Sequence, residues 1–73
     1  MTLLVTHKKT EKSFYLTDVV RLHIVEIGTK SSLELIYRIR RKYKRGEETV
    51  TEDSAIRGEE YRVDAFEEGW TND

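Results

Sequence analysis

A chain of 73 residues supports one domain with one small core, because a chain this short buries only about 60% of the surface its unfolded form exposes. Hydrophobic and charged residues each make up 37% of it, a polar balance for a globular domain, yet β-branched and aromatic residues recur along the chain and separate it from a wholly disordered one. The absence of cysteine excludes a disulfide-held secreted framework and a cysteine-based zinc site.

In chain order, LLVTH at 3–7 is a short apolar opening, KKTEK is polar, and SFYLT is rich in residues that suit a pleated, half-buried surface. Together they read as a hairpin. VVRLHIVEI at 19–27 is dominated by β-branched residues: alternation places Val20, Leu22 and Ile24 on one face and Val19, Val25 and Ile27 on the other, the pattern of a central strand buried on both sides. The run around it, DVVRLHIVEIG, is broken by Asp18, Arg21 and Glu26 and has no basic leader. It reads as neither a signal peptide nor a membrane span, so the expected compartment is the cytoplasm. Gly28 and TKSS then supply turn chemistry.

The stretch 33–43 fits two periods. As a strand, Leu33, Leu35, Tyr37, Ile39 and Tyr43 share one face with Arg41 as the intruder, while Glu34, Arg38, Arg40, Lys42 and Lys44 share the other with Ile36 as the intruder. As a helix, Leu35, Ile36, Ile39 and Tyr43 form a stripe, Ser31 and Glu34 a capping box, and Gly46 a C-terminal cap. The strand is preferred because IVEIGTKSSLELIY sets two alternating segments around a short polar turn. After Gly46, EETVT reads as a short strand, EDSAIRGEE as a turn or connection, and YRVDAF as a final strand. The fold expected is mainly β, an antiparallel sheet or barrel of about five to six short strands, with α+β and a helix at 32–45 packed on the sheet as the alternative. Residues 1–66 would form the domain and 67–73 a flexible acidic tail, dispensable for folding unless Trp70 docks on the sheet. The order of elements after TDVV and after EDSA hints at two related halves of three strands, although Asp18 and Asp53 are almost their only identity.

No pattern of reactive residues emerges. His7 and His23 lie sixteen positions apart with no cysteine or carboxylate at ligand spacing, and a histidine inside an apolar strand is far more often packed than metal-bound. The adjacent carboxylates Glu47 and Glu48, Glu59 and Glu60, Glu67 and Glu68 would point to opposite faces of a strand, so none is an acid–base dyad. The glycines at 28, 46, 58 and 69 form no phosphate-cradling loop, and Ser31 and Ser32 suit a turn rather than a nucleophile. No enzyme, metal or cofactor is expected.

Charge is the informative feature. The net charge of −1 conceals eleven Lys or Arg against four acids in residues 1–45 and two Arg against ten acids in residues 46–73, or +7 against −8. Six of the thirteen basic residues fall within 38–45: Arg38, Arg40, Arg41, Lys42, Lys44 and Arg45. These are the candidate partner-binding residues. On a strand, Arg38, Arg40, Lys42 and Lys44 repeat every ~6.6–7 Å, near the phosphate spacing of an extended nucleic acid, with Tyr37 and Tyr43 available for stacking. The bland alternative is a solvated face partly neutralised by the acids from Glu47 onward. Those acids would also repel phosphate, so a protein partner suits the layout better.

The cysteine-free, proline-free 73-residue chain, its basic run RIRRKYKR and its acidic end EETVTEDSAIRGEEYRVDAFEEGWTND resemble small phage-encoded host-takeover proteins in size, composition and charge layout. What that resemblance implies is binding without catalysis, typically to host RNA polymerase or a defence nuclease. The leading expectation is a non-enzymatic, monomeric or weakly dimeric protein that docks on and inhibits or regulates a host machine, the transcription apparatus first. The alternatives are a small β-barrel that binds RNA or single-stranded DNA through the basic run, and a structural subunit that assembles through a sheet edge, for which LLVTH is the candidate.

Overall fold

The structure, a computed structural model, describes residues 1–65 and contains six strands and no helix among them. They are β1 (Leu3–His7), β2 (Ser13–Leu16), β3 (Val19–Thr29), β4 (Ser32–Arg45), β5 (Glu48–Arg57) and β6 (Tyr61–Ala65). They form two antiparallel three-stranded sheets, a small one ordered β2-β1-β6 and a large one ordered β3-β4-β5. Among the described residues there is no closed barrel, and the helix considered for 32–45 is a strand. The expected tail at 67–73, with Phe66 before it, lies outside the described residues.

The large sheet is a meander whose turns explain its register. Thr29 pairs with Ser32 and Arg45 with Glu48, so each turn is closed by two residues. Gly46 is the first residue of the second turn at φ 63°, the region open to glycine that two-residue hairpin turns need. Gly28 adopts φ 119°, and a Cβ there would lie 2.1 Å from the Ser32 carbonyl oxygen, so the β3–β4 tip requires glycine.

The two sheets meet at a corner between β2 and β3. Asp18 turns the chain at φ 59°, a left-handed conformation that Asp tolerates better than most residues. Val19 then exchanges backbone hydrogen bonds with Met1, and the Lys42 amide donates to the Asp18 carbonyl at 3.0 Å. At the far side the Gly58 amide donates to the Leu35 carbonyl at 2.7 Å and leads the chain from β5 into β6. These joints bring Leu3 of the small sheet against Val19, Leu22 and Ile39 of the large one, with Ile24, Tyr37, Ile56, Val63 and Ala65 packed around them. Among the described residues, only Leu3, Val5, Val19, Leu22 and Ile39 of the hydrophobic side chains are buried. Each such burial contributes ~1.5–3 kcal/mol, so a core this small leaves little tolerance for loss.

Five expectations need correction. Val19 pairs with Arg41 but Arg21 with Arg40, so a β-bulge at Val20 shifts the alternation and puts Val19 in the core with Leu22 while Val20 is 54% exposed. Residues 19–27 belong to a strand at the border of the described sheet, whereas β4 is central. EDSAIR is not a connection but the second half of β5, paired with β4 through Arg57. LLVTH is not an edge: β1 lies between β2 and β6, so its backbone is already paired on both sides. The sheets also draw strands from both ends of the chain, which is not the arrangement of two repeated halves.

Candidate docking interface

Strand β4 divides the basic run by parity. Tyr37, Ile39, Arg41 and Tyr43 turn toward the small sheet, whereas Arg38, Arg40, Lys42 and Lys44 project from the opposite face and are exposed. Registration with the neighbouring strands extends that outer face. Arg21, Arg40 and Asp53 form one cross-strand row, and His23, Arg38 and Ala55 the next. Val25 and Ile36 lie together in the row beyond, with Arg57, so the basic rows continue into a half-buried apolar patch.

The basic rows enclose a shallow depression of about 370 Å³ lined by Arg21, His23, Arg38, Arg40, Asp53 and Ala55. Asp53 is its carboxylate: Arg40 donates from Nε to Oδ1 at 2.8 Å and from Nη2 to Oδ2 at 3.2 Å. That bidentate hydrogen bond holds the Asp53 carboxyl below the usual carboxylate range, with the charges of Arg40, Arg38 and Arg21 acting in the same direction. The same bond raises the pKa of the Arg40 guanidinium. Lys42 faces Thr51 and Lys44 faces Thr49, so neither has an acid directly opposite on β5. A second opening, of about 420 Å³, lies between the ends of the two sheets beside Leu35, Tyr37, Gly58 and Tyr61.

Arg41 and Arg45 do not join this face. Arg41 Nε donates to the Thr17 carbonyl at 2.8 Å and Nη1 to Glu52 at 3.1 Å, and the guanidinium lies 5.1 Å from the centre of the Tyr43 ring. The Tyr43 hydroxyl donates to the same Glu52 carboxylate at 3.2 Å, and Arg45 reaches the Tyr43 hydroxyl at 3.5 Å. With its side chain 24% exposed, Arg41 clamps β4 to the β2–β3 corner. At the other end of the large sheet Arg57 donates to Glu34 at 2.6 Å and to Glu59 at 2.9 Å, and the first of these bonds lowers the Glu34 pKa. The opposite charges of the two halves of the sequence are thus partly brought together across β4 and β5, as a lattice of pairs in which, among the described residues, Arg40 and Arg41 are paired with acids and Arg38, Lys42 and Lys44 are not.

Tyr37 and Tyr43 lie on the face away from the four outer cations, so the stacking expected beside a phosphate grip is not available there. Reading 33–43 alone also missed Arg21, His23, Asp53 and Ala55 as neighbours of the basic run. The signal for the last two was present in the alternation of Thr49, Thr51, Asp53 and Ala55 against Val50 and Ile56, which marks EDSAIR as strand. Among the described residues no cluster of His, Asp and Glu could hold a metal ion, and no helix is long and apolar enough to cross a membrane. No family model matches the chain, and no curated protein or solved structure matches it either.

Proposed function

We propose that this protein acts by binding rather than by catalysis, and that the outer face of β3-β4-β5 is its docking surface for an acidic protein. The observation that carries this reading is the composition of that face: Arg38, Arg40, Lys42 and Lys44 stand in line, continue into Val25 and Ile36, and have no Tyr, Phe or Trp beside them among the described residues. A nucleic-acid platform pairs cations with exposed rings on which bases stack. A protein partner instead offers carboxylates for the cations and apolar side chains for the adjoining patch, the usual mixture of a non-obligate interface. Of the machines such a surface can meet, the host transcription apparatus is the one implied by the resemblance to phage host-takeover proteins in size and charge layout. On this reading the small sheet and the inner face of the large sheet serve as scaffold, and the clustered outer charge governs encounter rate and salt sensitivity.

Affinity capture from a bacterial lysate, with and without nuclease, tests the reading. The expected result is a protein partner that is retained after nuclease treatment, with RNA polymerase subunits the first to look for. Loss of every partner on nuclease treatment would favour the nucleic-acid alternative.

A further inference from the structure

The two basic rows of the outer face differ by one side chain. In the row Arg21–Arg40–Asp53 the arginine on β4 has a carboxylate directly opposite on β5; in the row His23–Arg38–Ala55 the same position on β5 holds a methyl group. Directly opposed residues have Cβ atoms about 4.5–5.5 Å apart, close enough for Asp53 to engage Arg40 side-on and too far for Ala55 to fill the space before Arg38. Ala55 therefore helps form the depression, and Arg38 borders it with no acid across the sheet.

We propose that the notch above Ala55 is a carboxylate-binding site, occupied on docking by an Asp or Glu side chain from an acidic segment of the partner. This rests on the reading of the outer face as a docking surface and names the chemistry it recognises. The partner's carboxylate does for Arg38 what Asp53 does for Arg40, in a geometry the sheet already displays one row away. The site suits a carboxylate better than a phosphodiester because the row beyond it places the half-buried Val25 and Ile36 beside Arg57, itself already paired with Glu34 and Glu59, and so takes the neighbouring side chains of a polypeptide. It also places the partner's acid near the positive field of Arg38, Arg21 and Arg40 that already depresses the Asp53 pKa. Asp53 competes for that field from within, so it limits affinity as well as pairing Arg40.

The test uses the full chain with two probes, a synthetic peptide of alternating Glu and Thr and a thymidine oligonucleotide, followed by NMR and titration calorimetry. The peptide should bind and shift the signals of Arg38 and Ala55. Ala55→Asp places an internal carboxylate in the notch and should weaken peptide binding about tenfold, with Ala55→Asn, similar in shape but uncharged, changing it no more than about twofold. Arg38→Gln, at an exposed position, should lose the peptide to a similar extent and serves if Ala55→Asp folds poorly. Asp53→Asn should bind the peptide more tightly than the wild type. If Ala55→Asp and Arg38→Gln bind the peptide as the wild type does while Arg38→Glu/Arg40→Glu/Lys42→Glu does not, the notch is wrong and the docking face stands. If that triple variant also binds unchanged, both fall. Tighter binding of the oligonucleotide than of the peptide, weakened by Ala55→Asp, would make the notch a phosphate site and overturn the proposal.

Discussion

The two faces of β4 both carry cations, and put them to different ends. On the inner face Arg41 is clamped between Thr17, Glu52 and the Tyr43 ring, next to the buried Ile39. On the outer face, one residue away in either direction, Arg40 is exposed but paired and Lys42 is exposed with a threonine opposite on β5. A cation's role here follows from the parity of its position and from what the neighbouring strand puts across from it. Consecutive arginines are consequently a poor guide to a binding surface until the strand is known.

The inner face breaks first. Ile39→Ala removes one of the five buried hydrophobic side chains among the described residues, and large-to-small changes of this kind cost ~2–5 kcal/mol, enough to unfold a domain this small. Chemical denaturation followed by circular dichroism should show a much lower midpoint or no folded baseline; a midpoint close to wild type would remove Ile39 from the core. Arg41→Ala comes next, with an expected loss of about 1–2 kcal/mol from the bond to the Thr17 carbonyl and the clamp on Glu52. Arg38→Ala should change stability by less than about 0.5 kcal/mol, as surface substitutions usually do. Equal losses for the two arginines would erase the distinction between the faces.

Reversing Arg38, Arg40 and Lys42 to Glu together should leave the protein folded, weaken binding of an acidic partner, and flatten its dependence on salt. Unfolding of that variant would show that the outer row is part of the scaffold. The smallest effect is on pH dependence. The Glu34 and Asp53 carboxyls are held below their ordinary values by Arg57 and Arg40, so the unfolded chain takes up these protons at higher pH than the folded one. Their contribution is present above the ordinary carboxylate range, near about pH 4, and is lost as pH falls through that range toward the folded values. Because both pairs are exposed and screened, Glu34→Gln with Asp53→Asn should make the acid limb of a stability–pH profile only slightly shallower. An unchanged profile would show the pairs to be as well populated in the unfolded chain.

Much of the large sheet is legible in residues 19–45, because period-two alternation survives wherever one face is buried and the other is wet. The alternation of 33–43 correctly separates Arg38, Arg40, Lys42 and Lys44 from Tyr37, Ile39 and Tyr43. It fails at Val19 and Val20 because a bulge adds one residue to one strand alone, and nothing in VVRL marks where. At EDSAIR the alternation is present but is outweighed, because charged and small residues are poor strand formers on their own and adopt the strand here through pairing along β4. The candidate site depends on that missed strand: Asp53 and Ala55, which decide whether Arg40 and Arg38 face an acid, come from it.

By itself the sequence shows a basic stripe and favours a mainly β chain over an α+β one, since composition, turn residues and side-chain alternation act locally and need no partner strand. Only the tertiary structure decides that LLVTH is central rather than an edge, that Val19 and not Val20 is core, and which arginines are engaged. Those outcomes depend on register between strands distant in the chain, where a shift of one residue exchanges the faces of a sheet and replaces the acid opposite each base.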